Sequence, residues 1–191
     1  MKFLLASTSP RRRELFKSIV EDFEIASPHF DEESIKCSNV KNYVKALSKG
    51  KAGAVFNKSV GDWCVIGADT VVILNNKVLG KPKNRAQAKD MLKELSGKTH
   101  KVLTGVCIMF RIDAIETIIN FVDETTVEFI NLSEEMINEY ISTTEPYDKA
   151  GGYAIQGLAG KFVKKINGSF HNVVGFPITR IYEILKQENL I

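Results

Sequence analysis

The sequence predicts an α/β fold in which helices flank both faces of a mixed, strongly twisted β-sheet. Short apolar runs of strand type alternate with segments whose apolar residues recur at helical spacing, which is typical of strand–helix units. Two long strand-type runs joined by a short turn interrupt this alternation and predict a hairpin. A chain of 191 residues is long enough to bury a core, and we expect a single domain over residues 1–191, or one domain with two lobes.

Start signals and turn residues delimit the predicted elements of the first half of the chain. Pro10 suits the first position of a helix, and Ser9 is the predicted N-cap, because its hydroxyl can accept from an orphan backbone N–H. Asn39 opens a second helix, and Asn75-Asn76 predicts a hairpin turn. The predicted elements are strands at 2–6, 23–26 and 63–74, helices at 10–20 and 39–57, and a return strand that begins at 78–79.

The second half of the chain is delimited in the same way. Asn84 and Ser133 are predicted N-caps, and Pro177 begins the last helix. The predicted elements are helices at 85–95 and 134–142 and long strands at about 100–112 and 117–130, joined by a turn near Asp113-Ala114. The segment 150–160 has four glycines and little periodicity, as a backbone that wraps closely around a ligand would need.

The charge distribution favours a small anionic ligand over a nucleic acid. Lysine and arginine number 26 and the acidic residues 23, so the net charge of +3 gives no general affinity for polyanions. The cations are nevertheless grouped, at 11–13, 49–51, 81–85 and 161–165. Four groups that are separated in sequence suit a folded pocket for a polyanion better than a basic tail does. We therefore expect no nucleic-acid partner.

The cysteines and the apolar runs indicate the compartment. Cys37, Cys64 and Cys107 have no metal-ligand spacing, and the last two lie in apolar runs that predict buried thiols. A reducing cytoplasm is the simplest location for such a chain. No run approaches the ~20 apolar residues that a membrane span needs, so we expect no membrane partner.

Residues 6–13, Ala-Ser-Thr-Ser-Pro-Arg-Arg-Arg, predict a phosphate site. A strand that ends in a turn and enters a helix directs free N–H groups and a positive dipole end at one point. Three arginines at that point add charge-assisted donors. The alternative is a solvated basic first turn, although cations oppose the helix dipole at that end.

Several further motifs stand in a fixed order along the chain. They are Ile-Gly-Ala-Asp-Thr-Val-Val at 66–72, Leu-Gly-Lys-Pro-Lys at 79–83, the run 96–106 from Ser-Gly-Lys-Thr to Thr-Gly-Val, the run 144–157 from Thr-Glu-Pro-Tyr-Asp-Lys to Ile-Gln-Gly, and Asn-Val-Val-Gly-Phe-Pro at 172–177. With residues 6–13 they resemble the Maf family of nucleoside triphosphate pyrophosphatases, from about residue 3 to about residue 186. The resemblance implies an elongated α/β protein with two lobes and a central cleft, a fold shared with inosine triphosphatases.

The resemblance also implies an activity. Such an enzyme hydrolyses a nucleoside triphosphate to the monophosphate and pyrophosphate, as a house-cleaning activity on the nucleotide pool. It uses a divalent cation, Mg²⁺ or alternatively Mn²⁺ or Co²⁺, and family members are often homodimers. Two rival functions stay open: an inosine-triphosphatase-type enzyme for altered purines, and a cell-division regulator that binds nucleotide without turnover.

Asp69 is the first candidate catalytic residue. It interrupts an apolar strand, where an unpaired carboxylate is costly to bury, although an Asp in a strand bulge would give the same pattern. The resemblance implies that Asp69 is the proton acceptor and that Glu32 is a second acidic site residue, both able to hold the metal. Nothing local distinguishes Glu32 from Glu33 in the acidic loop 31–33.

The resemblance also implies which residues bind the phosphate groups. A triphosphate carries about four negative charges, so its binding needs several cations. Arg12, Lys51 and Lys81 match basic positions of the family site, and Ser7 would add a neutral donor, although a lysine on a helix such as Lys51 is by default a surface residue.

Three positions separate two branches of the family. The branch acting on dTTP and UTP carries Arg, Thr and Gln, and the branch acting on 7-methyl-GTP carries an aromatic residue, Gln and Glu. This chain has Arg11, Thr70 and Gln156 and so resembles the dTTP/UTP branch. The amide of Gln156 can donate and accept toward a pyrimidine edge, and a loop-capping amide is the alternative.

Overall fold

The computed structural model describes residues 1–37 and 39–191. Its strands are β1 (Lys2–Ala6), β2 (Glu24–Ile25), β3 (Trp63–Leu74), β4 (Lys77–Leu79), β5 (Thr99–Ile112), β6 (Ile115–Phe129) and β7 (Val163–Asn167). Its helices are α1 (Pro10–Lys17), α2 (Val40–Phe56), α3 (Arg85–Leu95), α4 (Glu134–Ile141), α5 (Phe170–Val174) and α6 (Ile178–Gln187). Short 3₁₀ turns lie at Glu32–Ser34, Glu145–Asp148, Ala150–Gly152 and Leu158–Phe162. None of the described helices is both long and apolar enough to cross a membrane.

The strands form one mixed sheet in the order β2-β1-β3-β5-β6-β7, with β4 paired to β3. β1 pairs in parallel with both β2 and β3, whereas β4 and β7 pair antiparallel with β3 and β6. The predicted turns 75–76 and 113–114 close tight connections in which all four residues have positive φ. Positive φ at both central residues is the signature of a type I′ hairpin turn. The predicted mixed sheet is therefore confirmed.

The chain divides into two compact units, and unit 1 comprises residues 1–69, 104–123 and 175–191. Apolar side chains cover both faces of its strands. Phe3 and Leu5 of β1 pack with Phe16 of α1 and with α6, whereas Leu4 and Ala6 pack with α2 on the other face. Alternate residues of β1 thus face two different parts of the core. Because both faces are buried, the strand needs no polar positions, and its sequence is an unbroken apolar run.

Unit 2 comprises residues 70–103 and 124–174 and has a separate apolar core. In this core the ring of His100 lies edge-on to Phe129 and Tyr153, and its Nε2 is 2.7 Å from the Tyr153 hydroxyl. His100 is 2% exposed, and burial lowers its pKa to about 4. It is a core histidine of unit 2, as its place in a strand indicates.

The burial of His100 gives a pH prediction. Between pH 6.5 and pH 4 the unfolded chain protonates this imidazole while the folded chain keeps it neutral, so the free energy of unfolding falls as the pH falls. We expect a loss of about 2 kcal/mol between pH 7 and pH 5, measured by urea unfolding. His100→Gln should flatten this dependence, and His29→Gln, at an exposed position, should not. Equal slopes in the two variants would contradict the assignment.

Several predicted boundaries are wrong. α1 ends at Lys17 and not at residue 20, because the Ser18 hydroxyl donates back to the Leu15 carbonyl at 2.7 Å and competes with the helix ladder. Ser9 occupies the N-cap position, but its side chain makes no capping hydrogen bond. Strand β7 and helix α5 were not predicted at all. Both cysteines expected in the core, Cys64 and Cys107, are confirmed as buried, and burial raises the pKa of each thiol to about 12.

Candidate active site

The centre of the site in unit 1 is an ion-paired carboxylate on β3. The Asp69 side chain is 13% exposed, and its Oδ1 lies 2.5 Å from Nζ of Lys51, which α2 contributes. The lysine is itself 14% exposed. A carboxylate so far removed from water needs a charged partner, and Lys51 supplies it. Lys51 is therefore not a solvated surface lysine, which was the default interpretation of a lysine on a helix.

A close approach of two backbones brings these side chains together. Gly67 lies two residues before Asp69, and a Cβ there would stand 2.6 Å from the backbone nitrogen of Ala52 and 2.7 Å from the carbonyl of Ser48. Only glycine allows α2 to lie this near to β3. Because Ala52 follows Lys51 directly and Gly67 lies two residues before Asp69, this contact fixes the position of Lys51 along β3, next to Asp69.

A second carboxylate reaches the same lysine. Glu32 begins the 3₁₀ turn Glu32–Ser34, and its Oε1 lies 2.9 Å from Nζ of Lys51. The ring of Phe30, two residues earlier, occupies the space above Gly50 of α2, where a Cβ would stand 2.2 Å from the ring. Phe30 thereby keeps the acidic loop against the helix next to Lys51. Of the two glutamates that the sequence leaves open, Glu32 is the one that contacts Lys51.

Arg12 is fixed by backbone carbonyls of unit 1. Its Nε donates to the carbonyl of Gly175 at 2.9 Å, and Nη1 donates to the carbonyl of Ala68 at 2.7 Å. Burial lowers the pKa of Arg12, and the nearby Asp69 carboxylate partly offsets this. The guanidinium thus holds the strand residue that precedes Asp69.

Ser7 lies where β1 enters the turn before α1. It is buried, and its Oγ accepts from the backbone N–H of Ser9 at 3.2 Å and from Nη1 of Arg12 at 3.5 Å. Arg11 follows in the first turn of the helix and is half-buried. Unit 1 therefore brings Ser7, Arg12, Glu32, Lys51 and Asp69 into one network, as chain neighbours or through direct contacts.

Tyr43 is a neighbour of this site that the sequence did not suggest. It lies on α2 two turns before Lys51, on the same face of the helix. Burial raises the pKa of its hydroxyl, and the carboxylates of Asp69 and Glu32 raise it further. The eight-residue spacing from Lys51 is the signal that could have identified it.

The other predicted site residues belong to unit 2. Thr70 follows Asp69 on β3 and is half-buried, Lys81 is exposed just after β4, and Gln156 is exposed in a turn of the glycine-rich segment. Within unit 2 the loop of Lys81 and the glycine-rich segment are joined, since Gly151 N–H donates to the carbonyl of Gly80 at 3.0 Å.

The carboxylates of unit 1 fit a hard divalent cation. No group of three or more His, Cys, Asp or Glu side chains forms a metal cluster within residues 1–37 and 39–191. Asp69 and Glu32 nevertheless both contact one ammonium, so their oxygens already converge on a single positive charge. Mg²⁺ is commonly held by one or two carboxylates, with water and substrate phosphates completing its coordination. These two side chains match that donor set.

Comparison with known proteins agrees with the motifs. Residues 2–188 match the family described as Maf-like protein. The chain is 48% identical over 189 residues to the dTTP/UTP pyrophosphatase of Clostridium novyi (strain NT), with 96% of each chain covered. It is 47% identical over 191 residues to the dTTP/UTP pyrophosphatase of Thermosipho melanesiensis, with 100% of each chain covered.

Solved structures support the fold alone. The Staphylococcus aureus Ham1 protein superposes with a TM-score of 0.56 at 17% identity, over 98% of this chain and 100% of that one. The predicted α/β architecture is thereby confirmed. The family match extends over almost the whole sequence, and the two relatives above are similar from end to end. The chain belongs to the family of Maf-like proteins.

Proposed function

We propose that this protein hydrolyses nucleoside triphosphates to the monophosphate and pyrophosphate, with dTTP and UTP as preferred substrates. The observation that carries the proposal is the Asp69 carboxylate, largely withdrawn from water and oriented by Lys51. A base positioned in this way can accept a proton from water. The relatives named dTTP/UTP pyrophosphatase, which are similar over the full length, support both the reaction and the substrates.

Asp69 acts as the general base in this proposal. It accepts a proton from a water molecule whose oxygen attacks the α-phosphorus, and the bond from that phosphorus to the bridging oxygen of pyrophosphate breaks. Lys51 contacts both Asp69 and Glu32 and so fixes the direction of the carboxylate. Arg12, Lys81, Ser7 and the start of α1 bind phosphate oxygens, because cations and free N–H groups stabilise the charge that develops on pyrophosphate.

A divalent cation completes the proposed site. Asp69 and Glu32 would hold it, and when bound it supplies positive charge that offsets the charge of the triphosphate. Mg²⁺ is the proposed ion, with Mn²⁺ or Co²⁺ as alternatives. The proposed compartment is the cytoplasm, in keeping with three free cysteines.

Gln156, with Arg11 and Thr70, is the proposed determinant of base choice. The amide of Gln156 is exposed at the turn and can both donate and accept. Thymine and uracil present an acceptor at O4 and a donor at N3, which one fixed amide can satisfy together.

The products identify the reaction. We expect dTTP and UTP to release pyrophosphate and one equivalent of nucleoside monophosphate, with no orthophosphate, as measured by separate assays for the two anions. A panel that includes dITP and XTP tests the rival functions. Faster turnover of altered purines would point to the inosine-triphosphatase type. Binding without any turnover would point to a nucleotide-dependent regulator, and either outcome would overturn the proposal.

A further inference from the structure

The turn that carries Gln156 is held on both sides by side chains of unit 2. The turn closes where Gly157 N–H donates to the carbonyl of Ala154 at 3.1 Å. Before Gln156, the backbone N–H of Ala154 donates to the Tyr140 hydroxyl at 3.3 Å. After Gln156, the N–H of Leu158 donates to Oε2 of Glu145 at 3.0 Å.

Glu145 is the common partner of these contacts. Its Oε1 accepts from the Tyr140 hydroxyl at 2.8 Å and from the N–H of Ala159 at 3.4 Å. One carboxylate therefore takes three donors, two of them backbone N–H groups of the glycine-rich segment. Burial raises the pKa of Tyr140, and its contact with Glu145 raises it further, so the phenol stays a donor at neutral pH. Hydrogen bonds to a charged group are stronger than neutral ones. The two from Leu158 and Ala159 restrict the segment directly, and the one from Tyr140 restricts it through Ala154.

The backbone also packs directly on this carboxylate. A Cβ on Gly157 would stand 2.1 Å from Oε2 of Glu145, and all three of the nearest atoms belong to that side chain. The residue next to Gln156 must therefore lack a side chain for the carboxylate to approach. Glycine at 157 and glutamate at 145 are thus coupled sterically as well as through neighbouring hydrogen bonds.

From this geometry we propose that Glu145 is a positioning residue for base selection, which acts by fixing the turn that presents Gln156. The inference rests on the proposed function, in which Gln156 hydrogen-bonds the pyrimidine edge. An amide discriminates between bases only while its donor and acceptor keep one orientation. If the turn moves freely, the amide can reverse its N–H and C=O groups and hydrogen-bond cytosine as readily as uracil. Glu145 and Tyr140 need not touch the substrate for this role.

The test compares base selectivity with turnover. In Glu145→Ala we expect the ratio of kcat/KM for UTP to that for CTP to fall about tenfold or more, while kcat for UTP stays within about threefold of wild type. Tyr140→Phe, which keeps the ring and deletes only the hydroxyl, should shift the ratio in the same direction. Glu145→Gln keeps one acceptor oxygen and should give an intermediate ratio.

A matched control is available on the helix that also carries Tyr140. Glu134 is an exposed carboxylate of α4 that pairs with Lys89 at 2.8 Å and with Lys93. Glu134→Ala removes the same charge from the same unit without touching the turn, and it should leave the ratio unchanged. A readout that does not depend on activity is amide hydrogen exchange. Leu158 and Ala159 should exchange about tenfold faster in Glu145→Ala than in Glu134→Ala.

The steric contact at Gly157 provides a second test by a double-mutant cycle. Gly157→Ala should lower the selectivity ratio in the wild-type background, because the added methyl group displaces the carboxylate. In the Glu145→Ala background that clash no longer exists, so the same substitution should have little further effect. Additive effects of the two substitutions would overturn the coupling.

The outcomes separate this inference from the function on which it rests. If kcat/KM of the wild-type protein for CTP equals that for UTP, the base-reading role of Gln156 is wrong before any variant is made. With the wild-type preference present, an unchanged ratio in Glu145→Ala would overturn the positioning role of Glu145. So would an equal loss of kcat/KM for every nucleotide, since that result indicates structural support alone.

Discussion

Replacing Asp69 with asparagine should abolish most of the pyrophosphate release while leaving the fold intact. The two side chains have nearly the same shape, and the amide oxygen can still accept from the Lys51 ammonium that lies 2.5 Å from Oδ1. The amide cannot take a proton from water, however, and loss of a general base typically lowers the rate by about 10²–10⁴-fold. The measurement is kcat with UTP at saturating metal and substrate, together with the thermal midpoint of unfolding.

The control for this variant is the same substitution at an exposed aspartate. Asp62 directly precedes β3 and faces solvent, so Asp62→Asn should retain wild-type turnover. A kcat for Asp69→Asn above half of the wild-type value would contradict the proposed role. Loss of turnover in both variants would indicate a general effect on strand β3 instead.

Replacing Gln156 with glutamate should weaken the preference for uracil and thymine. The wild-type amide can donate to O4 and accept from N3–H, whereas cytosine presents a donor at position 4 and an unprotonated N3. Sites that hydrogen-bond a substrate edge reject mismatched analogues by as much as ~10⁴-fold, because buried polar groups are left unpaired. A carboxylate only accepts, so it loses the contact with O4 and gains one with the cytosine amino group. The ratio of kcat/KM for UTP to that for CTP should fall sharply.

The matched control is the same change at a glutamine far from any proposed role. Gln187 is the exposed last residue of α6, and Gln187→Glu adds the same charge. It should leave the ranking of nucleotides untouched. If Gln156→Glu also leaves the ranking untouched, or if wild-type protein cleaves 7-methyl-GTP as fast as UTP, the assignment of base choice to Gln156 is wrong.

Local signals in the sequence predict most of the fold. β3 and α3 have the predicted bounds, because Asn75-Asn76 ends the strand and the Asn84 side chain caps the helix by accepting from Gln87 N–H at 2.9 Å. β7 was missed because its two apolar residues, Val163 and Ile166, are three positions apart and so do not show the strand period of two. Both pack on the core of unit 2 because the pairing of β7 with β6 is irregular between Val163 and Lys165. The two lysines at the centre of β7 are typical of edge strands, where they prevent pairing with other chains.

The geometry of the candidate site was harder to predict from the sequence, because its contacts join residues that are far apart in the chain. Lys51 meets Asp69 across 18 positions and Glu32 across 19, and no periodicity within one element predicts such a pair. The four clusters of cations predicted a pocket for a polyanion. In the last cluster, however, Lys161 and Lys164 form ion pairs with Glu139 and Glu128. Glu145 lies in the motif at 144–157, but nothing in that motif assigned it a role, since a carboxylate in a polar loop is ordinarily solvated.

The seating of α2 on the sheet has a consequence for how such a sequence can diverge. The helix rests on backbone at Gly67 and also at Gly105 of β5, where a Cβ would stand 2.3 Å from the Val44 carbonyl. No side chain lies between helix and strand at either point, so the distance from Lys51 to Asp69 does not depend on the size of intervening residues. We therefore expect a side chain at either glycine to push α2 away from the sheet and to separate Lys51 from Asp69, which restricts both positions to glycine as related sequences diverge.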